Sequence, residues 1–316
     1  MYGIVMALRN WAFDHEVLEQ RQAPFPVVSV GNLAVGGTGK TPMVELLVRL
    51  LREAGRQPAV LSRGYGRATK GPLVASAEST AADIGDEPLQ IFRKFRGEVP
   101  VSVSEDRRRA LPLLSALPWG RSKGGVLILD DAFQHRYIAR NCNILLTDWH
   151  RLYTRDRVLP FGRLREWRSG ARRADIVVVT KCPATLTAEE AEAVRRELHP
   201  EERQRLFFAS IAYAPLPPGV WESGEASLIT GIAQPQPLID HLTAAGVRII
   251  RHLRFPDHHN FSAADLRAAT SLQGPVLTTE KDAMRLPAGT AIPLPIAPTI
   301  LFNQETDLRQ AILKLC

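Results

Sequence analysis

The run SVGNLAVGGTGKTPMV, Ser29 to Val44, sets Gly36, Gly37, Thr38 and Gly39 directly before Lys40 and Thr41. Glycines at this spacing let successive backbone N–H groups turn toward one anion. A helix opening just after them adds its positive N-terminal end. A lysine so placed reaches the β- and γ-phosphates of a nucleotide, and the threonine hydroxyl can serve Mg2+. The pattern is a nucleotide P-loop, with Ala34 standing where the general pattern has its first glycine.

Asp130 and Asp131 end the apolar run Val126 to Leu129. An acidic residue at a strand end is the usual second half of a P-loop site, holding Mg2+ directly or through water. The plain alternative is a helix cap. The GDEP run, Gly85 to Pro88, sets Asp86 and Glu87 side by side in an expected loop. Phosphoryl transfer to a hydroxyl needs a positioned base, and a solvated turn is the other reading. In FPDHHNFS, either His258 or His259 can orient an acid or take a proton. Otherwise they are loop residues ahead of a helix capped by Ser262 and Asp265. Arg63, Arg107, Arg163 and Arg165 lie past strands or in a loop, where they can clamp phosphates or only aid solubility.

Positioning these groups requires a scaffold. Apolar runs at 26–30, 59–61, 99–103, 126–129, 143–146 and 176–179 alternate with helical patterns such as 43–54. The runs are continuous rather than alternating, which marks parallel strands buried on both faces. The expected fold is α/β: a P-loop NTPase-type, mainly parallel sheet with helices on both faces, plus a smaller α/β lobe. Ligands in such sheets gather at the carboxyl ends of strands, and the polar motifs follow the strands. The proline-rich break APLPPG, 214–219, suggests a boundary. The expected parts are an amphipathic helix in 1–20, a P-loop core in 21–215 and a C-terminal lobe in 216–316.

The chain has 316 residues and carries 40 basic against 33 acidic residues, a net charge of +7 that suits an anionic partner. No aromatic-interleaved basic patch points to nucleic acid. Cys142, Cys182 and Cys316 form no CxxC pair and no metal-ligand spacing, and read as reduced thiols. No run approaches the ~20 apolar residues of a membrane span. The N-terminus lacks the marks of a signal peptide. Ile4, Val5, Leu8, Trp11 and Ala12 recur at helical spacing, so this helix lies either on a membrane surface or on the core. A nucleotide-dependent switch or metal chaperone is a competing class. It lacks paired ligands, and VTKC at 179–182 lacks the aspartate of a guanine-reading motif.

Taken in order, VGNLAVGGTGKTP, LSRGYGR, GDEP, SEDR, LDDAFQHR, LPFGRLRE, FPDHHNF and TTEKD resemble the tetraacyldisaccharide 4′-kinase family of lipid A biosynthesis. That family shares the missing first glycine. The resemblance implies ATP-dependent phosphorylation of the 4′-hydroxyl of a tetraacylated disaccharide 1-phosphate, giving lipid IVA. The work would be done at the cytoplasmic face of the bacterial inner membrane by a peripheral or monotopic enzyme. By matching motif, Asp86 stands at the catalytic base and His258 at the partner that tunes it. Lys40 and Thr41 serve the phosphates and Mg2+, and Glu87, Asp130 and Asp131 serve the metal and phosphate region. Arg63, Arg107, His135 and Arg165 stand where phosphates or sugar are touched. With His258 and Asp86 on different lobes, catalysis is expected to need the lobes to close.

Overall fold

Apolar runs become strands covered on both faces in the computed structural model, which describes residues 2–316. Met1, the first residue of the expected N-terminal segment, lies outside the described residues. Among the described residues the strands are β1 (Val27–Asn32), β2 (Gln57–Ser62), β3 (Leu73–Val74), β4 (Val101–Val103), β5 (Gly125–Leu129), β6 (Cys142–Asp148), β7 (Ile176–Thr180), β8 (Arg205–Tyr213), β9 (Glu225–Thr230), β10 (Arg248–Arg254), β11 (Val276–Thr279), β12 (Ile292–Leu294) and β13 (Ile296–Ile300). Nine form one sheet in the order β13-β8-β7-β6-β1-β5-β2-β4-β3, and β10-β9-β11-β12 form a second. The large sheet is parallel except at its edges, where β13 and β3 run antiparallel to their neighbours. The small sheet is parallel throughout.

Alternate residues of a strand feed opposite cores. Ile176 and Val178 of β7 join Met43, Leu47 and Leu50, whereas Val177 and Val179 join Leu152, Ala191 and Phe208. Both faces demand apolar side chains, so the runs read as continuous. Because β1, β2, β4, β5 and β7 are parallel, the loops GGTGKT, SRGY, SEDR, DDAFQH and TKCP all emerge on one rim. Helix α1 (Tyr2–Asp14) buries only Gly3 and Phe13. Helix α2 (Lys40–Glu53) starts straight after the glycine loop and buries Met43, Val44, Leu47, Leu50 and Leu51 against the sheet.

The sheet membership of the C-terminal segment differs from the expected boundary at 216. Ile296–Ile300 leaves the small lobe, pairs with β8 as the edge of the large sheet, and hands the chain to the helix Glu305–Leu315 on α2. Prolines mask this strand in the sequence, and an edge is where a strand tolerates them. One tie between the lobes is an ammonium: Lys94 Nζ meets Glu45 at 2.6 Å, Glu280 at 3.0 Å and the Ile296 carbonyl at 3.3 Å. The three cysteines form no disulfide.

Candidate functional site

The glycine loop takes backbone angles that a side chain resists. Gly36 has φ +112° and Gly39 φ +78°, and nothing lies within 4 Å of a Cβ at Gly36 or Gly37. The space beside the loop is therefore open, as a phosphate cradle requires. The first amides of α2 face outward from Lys40 with no carbonyl one turn back. The loop is braced from two sides. Asn32 Nδ2 donates to Thr38 Oγ1 at 2.8 Å, and Thr180 Oγ1 donates to the Thr38 carbonyl at 2.9 Å. Thr38, expected among the cofactor-binding residues, is buried, with its hydroxyl oxygen accepting from Asn32. Ala34 pairs with Leu164 in an antiparallel bridge, flanked by Val35 N–H to Arg163 O at 2.8 Å and Arg165 N–H to Leu33 O at 2.7 Å. This short ladder brings the LPFGRLRE loop beside the P-loop.

The ladder also sets Arg165 against Asp131, at 3.0 Å, while Lys40 Nζ stands 3.8 Å from the same carboxylate. Burial pushes the Asp131 carboxyl up, but Lys40 and Arg165 outweigh it and hold its pKa below the usual range. Asp130 behaves oppositely. Burial, with the Glu87 and Asp131 carboxylates nearby, lifts it to about 6. Ser62 donates to its Oδ2 at 3.0 Å, and its buried Oδ1 has no partner. An orphaned carboxylate oxygen among like charges is a donor that suits Mg2+. Among the described residues no three His, Cys, Asp or Glu side chains form a metal cage. Mg2+ binds through one or two carboxylates plus substrate phosphates and needs no such cage. No helix follows the aspartate pair, so it is not a helix cap.

GDEP is not the loop expected from the sequence. Asp86 and Glu87 open the helix Asp86–Lys94, where carboxylates complement the positive helix end. Gly85 makes that start possible. Its φ is +92°, and a Cβ there would lie 2.9 Å from the Tyr65 carbonyl oxygen. Gly85→Ala is therefore expected to destabilise the protein by about 1–3 kcal/mol, read as a lower midpoint in denaturant unfolding. Asp86 is 6% exposed, not a solvated turn residue. Its Oδ2 lies 3.0 Å from His258 Nδ1 and 4.0 Å from Arg285 Nε. Burial raises the Asp86 pKa, but the His258 hydrogen bond together with Lys281 and Arg285 brings it below the ordinary value. The two histidines part company here. His259 binds the helix-capping Asp265 at 3.0 Å and stacks on Phe255, leaving His258 alone toward Asp86. The lobe closure expected for this pair is already made in the structure.

Other expected contacts divide. Arg63 is exposed on the rim. Arg107 differs from the expectation of a phosphate contact. It is 3% exposed, and its Nη2 donates to the Asp130 carbonyl at 2.7 Å and the Asp131 carbonyl at 3.0 Å. Burial lowers its pKa to about 10. Its work is to shape the loop that carries the aspartates. His135 is half-buried, and burial plus Arg107 and Arg140 push it down to about 3, so it stays neutral near pH 7. Three participants had no individual sequence signal: Ser62 on Asp130, Thr180 on the P-loop, and Tyr65, whose ring lies 5.6 Å from that of His258. Lys281, inside the TTEKD motif, also enters the site, with Nζ 3.0 Å from His258 Nε2.

Comparison with known proteins agrees along the whole chain. A family model described as tetraacyldisaccharide-1-P 4′-kinase matches residues 1–316. The tetraacyldisaccharide 4′-kinase of Parabacteroides distasonis is 41% identical over 349 residues, covering 99% of this chain and 92% of the relative. That of Bacteroides fragilis is 40% identical over 343 residues, covering 99% and 90%. Among solved structures, LpxK from Aquifex aeolicus in complex with ATP superimposes with a TM-score of 0.79 at 29% identity, covering 99% of this chain and 96% of that one.

Proposed function

This chain belongs to the tetraacyldisaccharide-1-P 4′-kinase family, and on that footing we propose how its residues divide the work. It is a kinase that phosphorylates the lipid A precursor at the 4′ position using ATP. The observation that carries the assignment is the 3.0 Å contact between Asp86 and His258, whose neighbour Glu87 lies within electrostatic reach of the P-loop partner Asp130. Asp86 accepts the proton of the 4′-hydroxyl as the new bond to phosphorus forms. His258 holds Oδ2 and so fixes the plane of the carboxylate. Gly36, Gly37, Gly39 and the first turn of α2 cradle the phosphates, and Lys40 follows the charge of the transferring group.

Mg2+, when bound, neutralises charge on the β- and γ-phosphate oxygens. Thr41 and Asp130 would hold it, which also relieves the like-charge repulsion on Asp130. Glu87 adds negative charge to the same region but is engaged by Lys281 at 3.5 Å. Asp131 orients Lys40 and Arg165. Arg63, Arg165 and the neutral His135 are the groups assigned to phosphates or sugar of the substrate, with Arg107 supporting them from behind. Incubation with radiolabelled ATP, Mg2+ and the disaccharide 1-phosphate lipid in detergent micelles tests the reading. Label should move to the lipid, and chelation by EDTA should stop it. Release of inorganic phosphate alone, unaffected by lipid, is the outcome against it.

We further propose that α1 rests on the membrane that holds the substrate, at the cytoplasmic face where ATP is available. No helix among the described residues is long and apolar enough to cross a membrane. α1 is fastened by its other side, through Phe13 on Tyr137 and Asp14 on Arg136. Ile4, Leu8 and Trp11 are 61%, 63% and 53% exposed, an apolar face turned to solvent on which Trp11 stacks on His15 of the same segment. Leu8→Glu with Trp11→Glu should release the protein from anionic vesicles and raise the apparent KM for lipid by about tenfold or more, with KM for ATP unchanged. Sedimentation with vesicles indistinguishable from wild type would refute membrane docking by α1.

A further inference from the structure

The LPFGRLRE loop serves the site through Arg165, but its tip takes no part in the chemistry. Phe161 at that tip is 85% exposed. A lone exposed phenylalanine is ordinary on a protein surface. This one is held outward by its backbone. Asp156 Oδ1 accepts from the Arg157 N–H at 2.8 Å and from the Arg163 N–H at 3.0 Å. Leu164 N–H donates to the Arg157 carbonyl at 2.9 Å, Leu159 N–H to the Leu164 carbonyl at 3.0 Å and Phe161 N–H to the Val158 carbonyl at 3.0 Å. A Cβ at Gly162 would collide with the Arg157 carbonyl, so the turn is packed tight on its inner side. The loop cannot fold Phe161 inward without breaking these bonds.

The tip also has apolar company. Trp167, on the outgoing limb, is 53% exposed, and its Nε1 donates to the Gly3 carbonyl of α1 at 3.2 Å. On the other limb, Val158 Cγ1 would lie 3.0 Å from a Cβ at Gly3. The first turn of α1 therefore packs on both limbs, and Phe161 and Trp167 adjoin the exposed Ile4, Leu8 and Trp11. Arg157, Arg163 and Arg168, all exposed, edge the loop. Aromatic rings rimmed by arginines match a layer of anionic headgroups over hydrocarbon.

We propose that the 158–164 loop is a second membrane-docking element, which inserts Phe161 into an anionic bilayer surface beside α1. The proposal rests on the membrane reading of α1 for the continuity of the patch. A helix lying in an interface leaves the body free to roll about the helix axis. A second anchor off that axis stops the roll. The loop is bonded to the P-loop, with Val35 N–H on the Arg163 carbonyl at 2.8 Å and Arg165 N–H on the Leu33 carbonyl at 2.7 Å. Inserting the tip thus sets how the P-loop rim stands over the bilayer that holds the acylated substrate.

The test sediments the full chain with vesicles of phosphatidylcholine containing phosphatidylglycerol, and of phosphatidylcholine alone. Phe161→Ser should weaken binding to the mixed vesicles about tenfold or more, the burial of one aromatic side chain, and Phe161→Trp should keep it. Arg157→Gln should cost about fivefold on the mixed vesicles and little on the neutral ones. The unfolding midpoint of Phe161→Ser should not change, because the ring adds nothing to the core. For a direct reading, Phe161→Cys carries an environment-sensitive fluorophore, with Cys316→Ser in the background because Cys142 and Cys182 are buried. Its emission should brighten and move to the blue on adding vesicles without substrate. A label that answers only to the tetraacyldisaccharide lipid would assign the tip to the substrate's acyl chains and overturn the proposal. Wild-type sedimentation of Phe161→Ser would overturn it too, and would leave α1 standing if Leu8→Glu with Trp11→Glu still releases the protein. Release by Phe161→Ser alone, with the α1 pair still bound, would refute docking by α1 and keep the loop.

Discussion

Asp86→Ala is expected to lower kcat by ~10²-fold or more, and His258→Ala by a similar factor, the range of a lost general base. A sugar hydroxyl is far too weak an acid to ionise alone near neutral pH. A buried carboxylate kept ionised by His258, Lys281 and Arg285 can accept its proton as phosphorus bonds to oxygen. The two residues touch at 3.0 Å, so they should behave as one unit. The double variant should then be scarcely worse than the more damaged single one. Neither residue belongs to the phosphate cradle, and ATP binding measured by calorimetry should survive in all three. Strictly multiplicative losses would separate the two roles. Full activity in His258→Ala would remove it from the mechanism, and His259 could not replace it, because its ring is committed to Asp265.

Lys40→Ala should lower kcat by about 10²–10³-fold, the usual cost of deleting one preorganised charge at a site of developing negative charge. The fold should survive. Lys40 holds only a 3.8 Å contact to Asp131, and Arg165 keeps that carboxylate paired at 3.0 Å when the lysine is gone. An unchanged unfolding midpoint alongside lost turnover would separate chemistry from stability. Near-normal turnover in a folded Lys40→Ala protein would end the P-loop assignment. Arg165 is the informative control. Arg165→Ala leaves Lys40 as the one cation on Asp131, so the effect should be smaller and should fall partly on KM.

Much of this protein was legible in one dimension, because the relevant physics is local. A glycine loop with Lys40 and Thr41 announces its anion, since no other residue types leave backbone amides so bare. Continuous apolar runs announce parallel strands, since both faces of such a strand are buried. Capping boxes at Thr187 with Glu190 and at Ser262 with Asp265 formed where their spacing places them. The order of motifs pointed to the family. Three-dimensional placement decided the rest. Asp86 and His258 are 172 residues apart, and only the docking of the small lobe, with Lys94 between Glu45 and Glu280, Lys281 on Glu87 and Met284 packed by Leu89, brings them together. Arg107 looked like a phosphate clamp because an arginine after a strand usually faces solvent, yet the chain folds over it and turns it into a brace. The proline-bearing strand Ile296–Ile300 looked like part of the second lobe until pairing with β8 returned it to the first. Lys281 was visible as a motif letter without a role. Its place, 3.0 Å from His258 Nε2 and 3.5 Å from Glu87, exists only because the small lobe packs on the helix that begins at Asp86, a contact between segments far apart in the chain.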